Sequence, residues 1–370
     1  MPRTSSRSRG RAGPSSRPVH HRLIWVDVAR GLALISMMIA HTAPTGGPGG
    51  VLNLTEHLTA ALFAALVGVS ARLEVQHLGI GRAAARAVIR ALVLAACSWL
   101  VGFFGAQVHD ILGHLAVVAL LTGLLAALPL AAQLVLALLS GSGGVALVAQ
   151  GTTAAVAALL PLADAVGLPA DRLATGVATM LTDAPYRLPL LLAWALLGSV
   201  VLRTLHGTRE DPARRMRVDA VWWAVGGAAL AGVVLASSRA RTGAMPVPYS
   251  GTVPEVLVDT GLVLLVLGLC AAVVPNHANP ATELLSIPGA MTLSVYVAHH
   301  AYLGWVAHLA GPGPWRTPGG ADDTWFNVVV LILGAIALPL LWRTYVRSRP
   351  WRAGPIEGVA RLVTDRIGGR

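Results

Sequence analysis

Residues 23–44 read LIWVDVARGLALISMMIAHTAP, a stretch apolar enough for a membrane that nonetheless carries Asp27, Arg30 and, near its end, His41. At about 100° per residue, the eleven positions from Arg30 to His41 make three turns with about 20° of drift, so both side chains share one helix face some ~16 Å apart in height. Asp27, three residues before Arg30, lies on the same side. A charge inside a membrane costs at least ~2.5 kcal/mol on insertion scales, so this stripe calls for a partner or a wet cavity. An Asp27–Arg30 pair that only locks helix packing would meet that need without chemistry. A second stripe stands in MTLSVYVAHHAYL, residues 291–303, where Thr292, Tyr296, His299 and His300 follow helical spacing. The ordinary pKa of histidine suits proton transfer near neutrality, so the two stripes point to an acid-base centre or a proton path. Metal binding fits less well. The adjacent histidines face different ways, and neither a His-x3-His pair nor a cysteine cluster accompanies them.

The elements that position these residues are read from composition. The chain has 370 residues, 55% hydrophobic and 12% charged, which fits an integral membrane protein. All 28 basic residues are arginine, a bias typical of a GC-rich bacterial genome. The net charge of +11 does not call for nucleic acid, because the arginines fall between apolar stretches as topology requires. Cys97 and Cys270 lie within apolar runs and read as small buried hydrophobes.

About 20 apolar residues are needed to cross ~30 Å of hydrocarbon. Ten stretches meet that length, near 23–41, 54–71, 85–105, 110–129, 132–149, 186–203, 218–237, 256–274, 288–309 and 325–343. An eleventh would be 152–168, but Pro161 and Asp164 favour a re-entrant or surface segment there. The expected fold is therefore an all-α polytopic membrane protein, a bundle of ten transmembrane helices, or eleven if that segment crosses. With ten spans, four arginine clusters fall on one side: the basic arm 1–21, the loop 72–90, the stretch 203–217 and the tail 347–370. The positive-inside rule makes that side cytoplasmic and places both termini there. Arg30 within the apolar run argues against a cleaved signal peptide at 23–41. The arm is rich in Ser, Arg, Gly and Pro and is expected to be disordered and to meet anionic lipid. Seven of the twelve histidines then fall in the outer half: His41, His57, His109, His114, His299, His300 and His308.

Asp-Val-Ala-Arg-Gly-Leu-Ala at 27–33, followed by an apolar stretch and His41, resembles the first helix of the transmembrane acyltransferase superfamily, with the Arg-x10-His spacing of its acyltransferase-3 branch. The rest of the chain is similar to the bacterial domain-of-unknown-function 418 family, often labelled heparan-alpha-glucosaminide N-acetyltransferase-like. The resembling segments are AALFAALVGVSARL at 60–73, HDILGHLAVVALL at 109–121, PYRLPLLLAWALLGSVVLR at 185–203, PYSGT at 248–252, MTLSVYVAHH at 291–300 and WRAGPIEGVAR at 351–361. Two departures stand out. His57-Leu58 replaces a Gly-Arg pair, and Ile356-Glu357-Gly358 replaces Leu-Glu-Trp.

The resemblance implies transfer of an acyl group, acetyl first among the choices, from cytoplasmic acyl-CoA to an extracytoplasmic glycan, glycolipid or other envelope acceptor. It makes His41 the catalytic histidine and Arg30 a substrate or donor ligand, with no tightly bound cofactor or metal. The expected setting is the bacterial inner membrane, with membrane lipid as a partner and no nucleic acid. The chemistry suits the residues: a neutral imidazole can take the acceptor's proton, and Arg30, Tyr296 or His300 could steady the oxyanion that forms on the thioester. Arg82, Arg86 and Arg90 could hold the phosphates of CoA, although topology alone would also place arginines there. Asp27, His57, His109, Asp110, His299, Ser250 and Thr252 are the expected acceptor-side or substrate contacts; Asp110 could equally cap the helix that follows it. The rival reading is a proton-coupled transporter or flippase that uses Asp27, Arg30 and the histidines as its path. No internal repeat is visible to support that reading. A membrane scaffold without chemistry is the third possibility.

Overall fold

The computed structural model describes residues 23–165, 170–183, 185–206, 212–275, 277 and 279–367; the basic arm lies outside them, as do 207–211 of the arginine stretch at 203–217. Among the described residues there are fourteen α-helices and no strand. In chain order these are α1 (Ile24–Thr42), α2 (Asn53–Leu78), α3 (Ile80–Gly102), α4 (Leu112–Leu125), α5 (Leu130–Gln150), α6 (Thr152–Ala165) and α7 (Ala170–Thr182). They continue as α8 (Leu188–Leu205), α9 (Pro212–Thr242), α10 (Val253–Val273), α11 (Pro280–Ala290), α12 (Thr292–His308), α13 (Trp325–Tyr345) and α14 (Pro355–Ile367). The protein is an all-α, multi-pass membrane protein. Eight helices, α1, α2, α3, α5, α8, α9, α10 and α13, are long and apolar enough to cross a bilayer.

The other two expected spans differ from simple rods. α4 has 14 residues, too few to cross ~30 Å at 1.5 Å per residue. The stretch 288–309 is not one helix: α11 and α12 meet at an angle of 73°. The cause is local. Pro288 offers no N–H, Gly289 follows it, and Met291 leaves helical geometry at φ −118°, ψ 31°. Of the segment at 152–168, residues 152–165 form α6, which pairs with α7 beside α5, and 166–168 lie outside the described residues.

Helices in lipid gain little from hydrophobic contact with each other, so close approach through small residues supplies much of their attraction. α2 and α8 cross in this way: a Cβ on Gly68 would lie 1.6 Å from the Ala195 carbonyl oxygen, and one on Gly198 would lie 2.0 Å from that of Ala65. α1 and α11 do the same, with Gly289 against the Asp27 carbonyl and Gly31 against that of Leu285. Gly68→Val is therefore expected to destabilise the bundle by about 1–3 kcal/mol through overpacking. Gly226→Ala, with no atom near the added carbon, is the neutral control; thermal unfolding in detergent compares the two.

α1 is the central helix, in contact with α2, α10, α11, α12 and α13. Trp25, Leu34, Met37 and Met38 are almost wholly buried along it. By contrast α3, α5 and α9 expose Trp99, Leu138 and Trp222, side chains suited to lipid. The N-terminal end of α1, the C-terminal end of α2 and the start of α3 form an arginine-bearing end of the bundle; His41, His57 and His109 mark the opposite end. α14, from the basic tail, packs on α3 and α12.

Candidate functional site

Three imidazoles meet near the histidine end. The His41 ring lies 5.5 Å from that of His299, which lies 4.3 Å from that of His300. Tyr296 closes the group, 5.0 Å from His299 edge-on and 4.6 Å from His300 in a stacked arrangement. The helix period explains the grouping: Tyr296 and His300 are four residues apart on α12, while His41 reaches them from the last turn of α1.

The ring nitrogens are unusually free. His41 Nδ1, both nitrogens of His299 and His300 Nε2 are buried and meet no hydrogen-bond partner among the described residues. Buried polar atoms are almost always paired, so four orphans in one cluster call for a polar partner that the described residues do not supply. His300 Nδ1 faces the Tyr296 carbonyl at 3.3 Å. In the tautomer that donates there, Nε2 keeps its lone pair and can accept a proton.

Asp110 organises the tyrosine. The Tyr296 hydroxyl donates to Asp110 Oδ1 at 2.9 Å and accepts from the Ile111 N–H at 3.3 Å. Ser98 donates to the other carboxylate oxygen, and the Leu112 N–H donates to Oδ1 at 3.0 Å, so Asp110 stands just ahead of α4 and meets its first N–H without being its N-cap. With its single proton given to Asp110, Tyr296 does not donate to an oxyanion in this arrangement. His109 is exposed, and its carbonyl accepts from Tyr186 at 3.4 Å. Burial, followed by the charge of Asp110, pushes the Tyr186 phenol above its ordinary pKa and keeps it a neutral donor.

A cavity of about 260 Å³ approaches the cluster from within the bundle. Its walls are mostly apolar, among them Phe63, Leu66, Leu94, Leu115 and Leu293, and its polar groups include Arg30, Ser70, Arg90 and Tyr296. A second cavity, of about 580 Å³, lies at the arginine end between Asp27, Arg30, Glu74, His77, Arg86 and Arg361. Arg30 lines both. Its guanidinium donates to Asp27 at 2.9 Å and to Ser70 at 2.6 Å, so the pair expected from sequence is present and sits where the two cavities meet a common residue.

Of the three arginines expected for CoA, Arg86 lines the outer cavity, the one at the arginine end of the bundle, and Arg90 the inner cavity that reaches Tyr296; Arg82 is exposed and lines neither. Arg90 pairs with Glu74 through Nη2 and leaves Nη1 buried without a partner. The acceptor-side candidates divide. His57 is buried away from the cluster, with Nδ1 2.7 Å from Asp259 and Nε2 3.1 Å from the Pro246 carbonyl. Ser250 and Thr252 bond each other at 2.9 Å, and Ser250 donates to Glu255 at 3.2 Å, which locks a turn ahead of α10. Neither residue is brought to the histidines by any contact among the described residues.

Ser70, Ser98 and Asp259 escaped the sequence reading, and Glu357 entered it only as part of the closing segment, with no role attached. The first three are isolated polar residues in largely apolar runs and Glu357 lies in the arginine-rich tail, so only a partner distant in sequence distinguishes each from background. No three His, Cys, Asp or Glu side chains among the described residues gather as a metal site. No family model matches the chain, and no curated protein matches it.

Proposed function

We propose that the protein is an acyl-CoA-dependent O- or N-acyltransferase of the bacterial inner membrane, with both termini cytoplasmic and an extracytoplasmic glycan, glycolipid or other envelope molecule as acceptor. The observation that carries this reading is a pair of cavities that share Arg30, one at the arginine end and one reaching Tyr296, whose ring packs on His299 and His300, imidazoles with unpartnered nitrogens. The outer cavity suits an anionic donor head, with Arg30, Arg86 and Arg361 in its wall. The inner cavity suits the arm and the acyl group, and Arg90 offers a free N–H to a carbonyl along the way. The resemblance of the first helix to the transmembrane acyltransferase superfamily supports the same assignment.

In this reaction the acceptor's hydroxyl or amine attacks the thioester carbonyl carbon while His41 takes its proton. The oxyanion that forms is met by an N–H of His299, neither of whose nitrogens makes a close hydrogen bond among the described residues. Collapse breaks the carbon–sulfur bond, and the CoA thiolate takes the proton back from the His41 imidazolium. His300, fixed by its bond to the Tyr296 carbonyl, holds the cluster against Tyr296 and so against the cavity.

The test is thermal stabilisation of the detergent-purified protein by acetyl-CoA and by longer acyl-CoAs. Wild type is expected to be stabilised in a manner that free CoA competes away. Arg30→Ala should lose most of the stabilisation, and His41→Ala should keep it but release no CoA. Absence of any shift with a well-folded wild type would remove the donor assignment. The broken α11–α12 span favours a second reading, since transporters place substrates at helices interrupted in the membrane. Proton-linked flux in proteoliposomes, without acyl-CoA binding, would select it.

A further inference from the structure

The break between α11 and α12 creates a structural problem that the C-terminal helix solves. A helix that begins afresh inside the bundle has no preceding turn to accept its first N–H groups, and unpaired backbone groups are costly away from water. Those donors in α12 are met by a side chain more than 60 residues away. Glu357, on α14, accepts from the Leu293 N–H at 2.8 Å and the Ser294 N–H at 3.1 Å. It also accepts from the Ser294 hydroxyl. The favour is returned: Ser294 Oγ accepts from the Ile356 N–H at 3.2 Å, one of the orphan donors at the start of α14. Each helix thus caps the other, as the two ends of a capping box do within one helix.

The joint leaves no room for adjustment. Gly354 stands at φ +122°, and a Cβ there would lie 2.2 Å from Glu357 Oε2 and 3.0 Å from Ser294 Oγ. A negative carboxylate at a helix N-terminus also suits the helix dipole. Burial raises the Glu357 pKa, and the bonds from Ser294 and Leu293 oppose that rise. Glu357 shares the inner cavity wall with Tyr296 and Leu293. Tyr296 stands one turn beyond the cap, and His299 and His300 about one further turn along α12.

We infer that Glu357 is a positioning residue: through it α14 fixes the start of α12, and with it the places of Tyr296, His299 and His300. The effect on acyl transfer rests on the function proposed above; the effect on the imidazoles does not. Carbethoxylation by diethyl pyrocarbonate, resolved by residue with mass spectrometry, reads the second directly. In wild type His299 and His300 are buried and should react slowly, and His57, equally buried on α2, reports any global opening.

Glu357→Ala is expected to raise carbethoxylation at His299 and His300 by roughly five- to tenfold, the scale of local opening that follows loss of a helix cap, with His57 unchanged. Glu357→Gln keeps an oxygen acceptor and should stay near wild type. Where turnover of acetyl-CoA is measurable, kcat should fall in the alanine variant, KM for the donor should hold, and glutamine should restore most of kcat. Should Glu357→Ala fail to fold, Ser294→Ala carries the test, since it removes one bond from each cap and should raise the same two rates with His57 again unchanged. Rates at His299 and His300 that match wild type, or that rise only in step with His57, overturn the inference. A wild type that no acyl-CoA stabilises, with the reactivity pattern intact, would instead sink the acyltransferase reading and leave the positioning role standing.

Discussion

His41→Ala is expected to lower the rate of acyl transfer by about two to four orders of magnitude, the usual contribution of a positioned general base, with acyl-CoA binding retained. The expectation follows from placement. His41 ends α1, its Nδ1 is buried without a partner, and its ring lies 5.5 Å from His299 at the far side of the cluster from Tyr296. It can therefore take a proton from an acceptor without breaking a bond it already makes. His300 differs in being tied to the Tyr296 carbonyl. The measurement is CoA release against acceptor in proteoliposomes, with donor binding followed in parallel. Transfer that survives in His41→Ala and vanishes in His300→Ala would move the base to His300. Loss of donor binding in His41→Ala would make the residue a ligand instead.

Asp259→Ala should give the largest loss of stability, about 3–5 kcal/mol, because it strips a buried histidine of the carboxyl partner it is bonded to. His57 has an acceptor at each nitrogen, the Asp259 carboxylate at 2.7 Å and the Pro246 carbonyl at 3.1 Å. Either an imidazolium facing a carboxylate or a neutral ring facing a carboxylic acid satisfies both nitrogens, so the pair is fully hydrogen-bonded in both forms. It ties α2 to α10 and to the loop ahead of α10. The double change His57→Phe with Asp259→Leu removes both polar groups and should recover most of the loss, as buried pairs replaced by apolar groups commonly do. Melting temperatures of the three variants in one detergent decide the matter. A mild single variant would show that water reaches the pair.

Much of the candidate site was legible from spacing alone. The Arg30–His41 stripe and the Tyr296–His299–His300 stripe needed only the helix period, and the structure brings their histidine ends together. The Asp27–Arg30 pair was legible for the same reason, being three residues apart. What spacing could not supply was helix order. Asp110 reaches Tyr296 across 186 residues and Asp259 reaches His57 across 202, and such contacts depend on which helices become neighbours. The apolar pattern of 288–309 also hid its break, because hydropathy averages over Pro288 and Gly289. His57 read as an acceptor contact from its topology, yet burial on α2 and two bonds to the chain give it structural work. Glu357 sat in what read as a basic tail, and its meaning appears only with α14 packed on α12.

The distances in sequence bear on how the chain is made. Arg30 has Asp27 beside it as soon as the first helix leaves the ribosome, and Ser70 joins once the second has followed. His57 has no such early companion: Asp259 is synthesised 202 residues later, about 10–40 s at ordinary rates of translation. During that interval the second helix must rest in lipid with the residue unmatched. A permanently charged arginine would be costly to hold there, whereas an imidazole can wait uncharged until its partner arrives. The choice of histidine at this position thus suits the nascent chain as well as the finished fold.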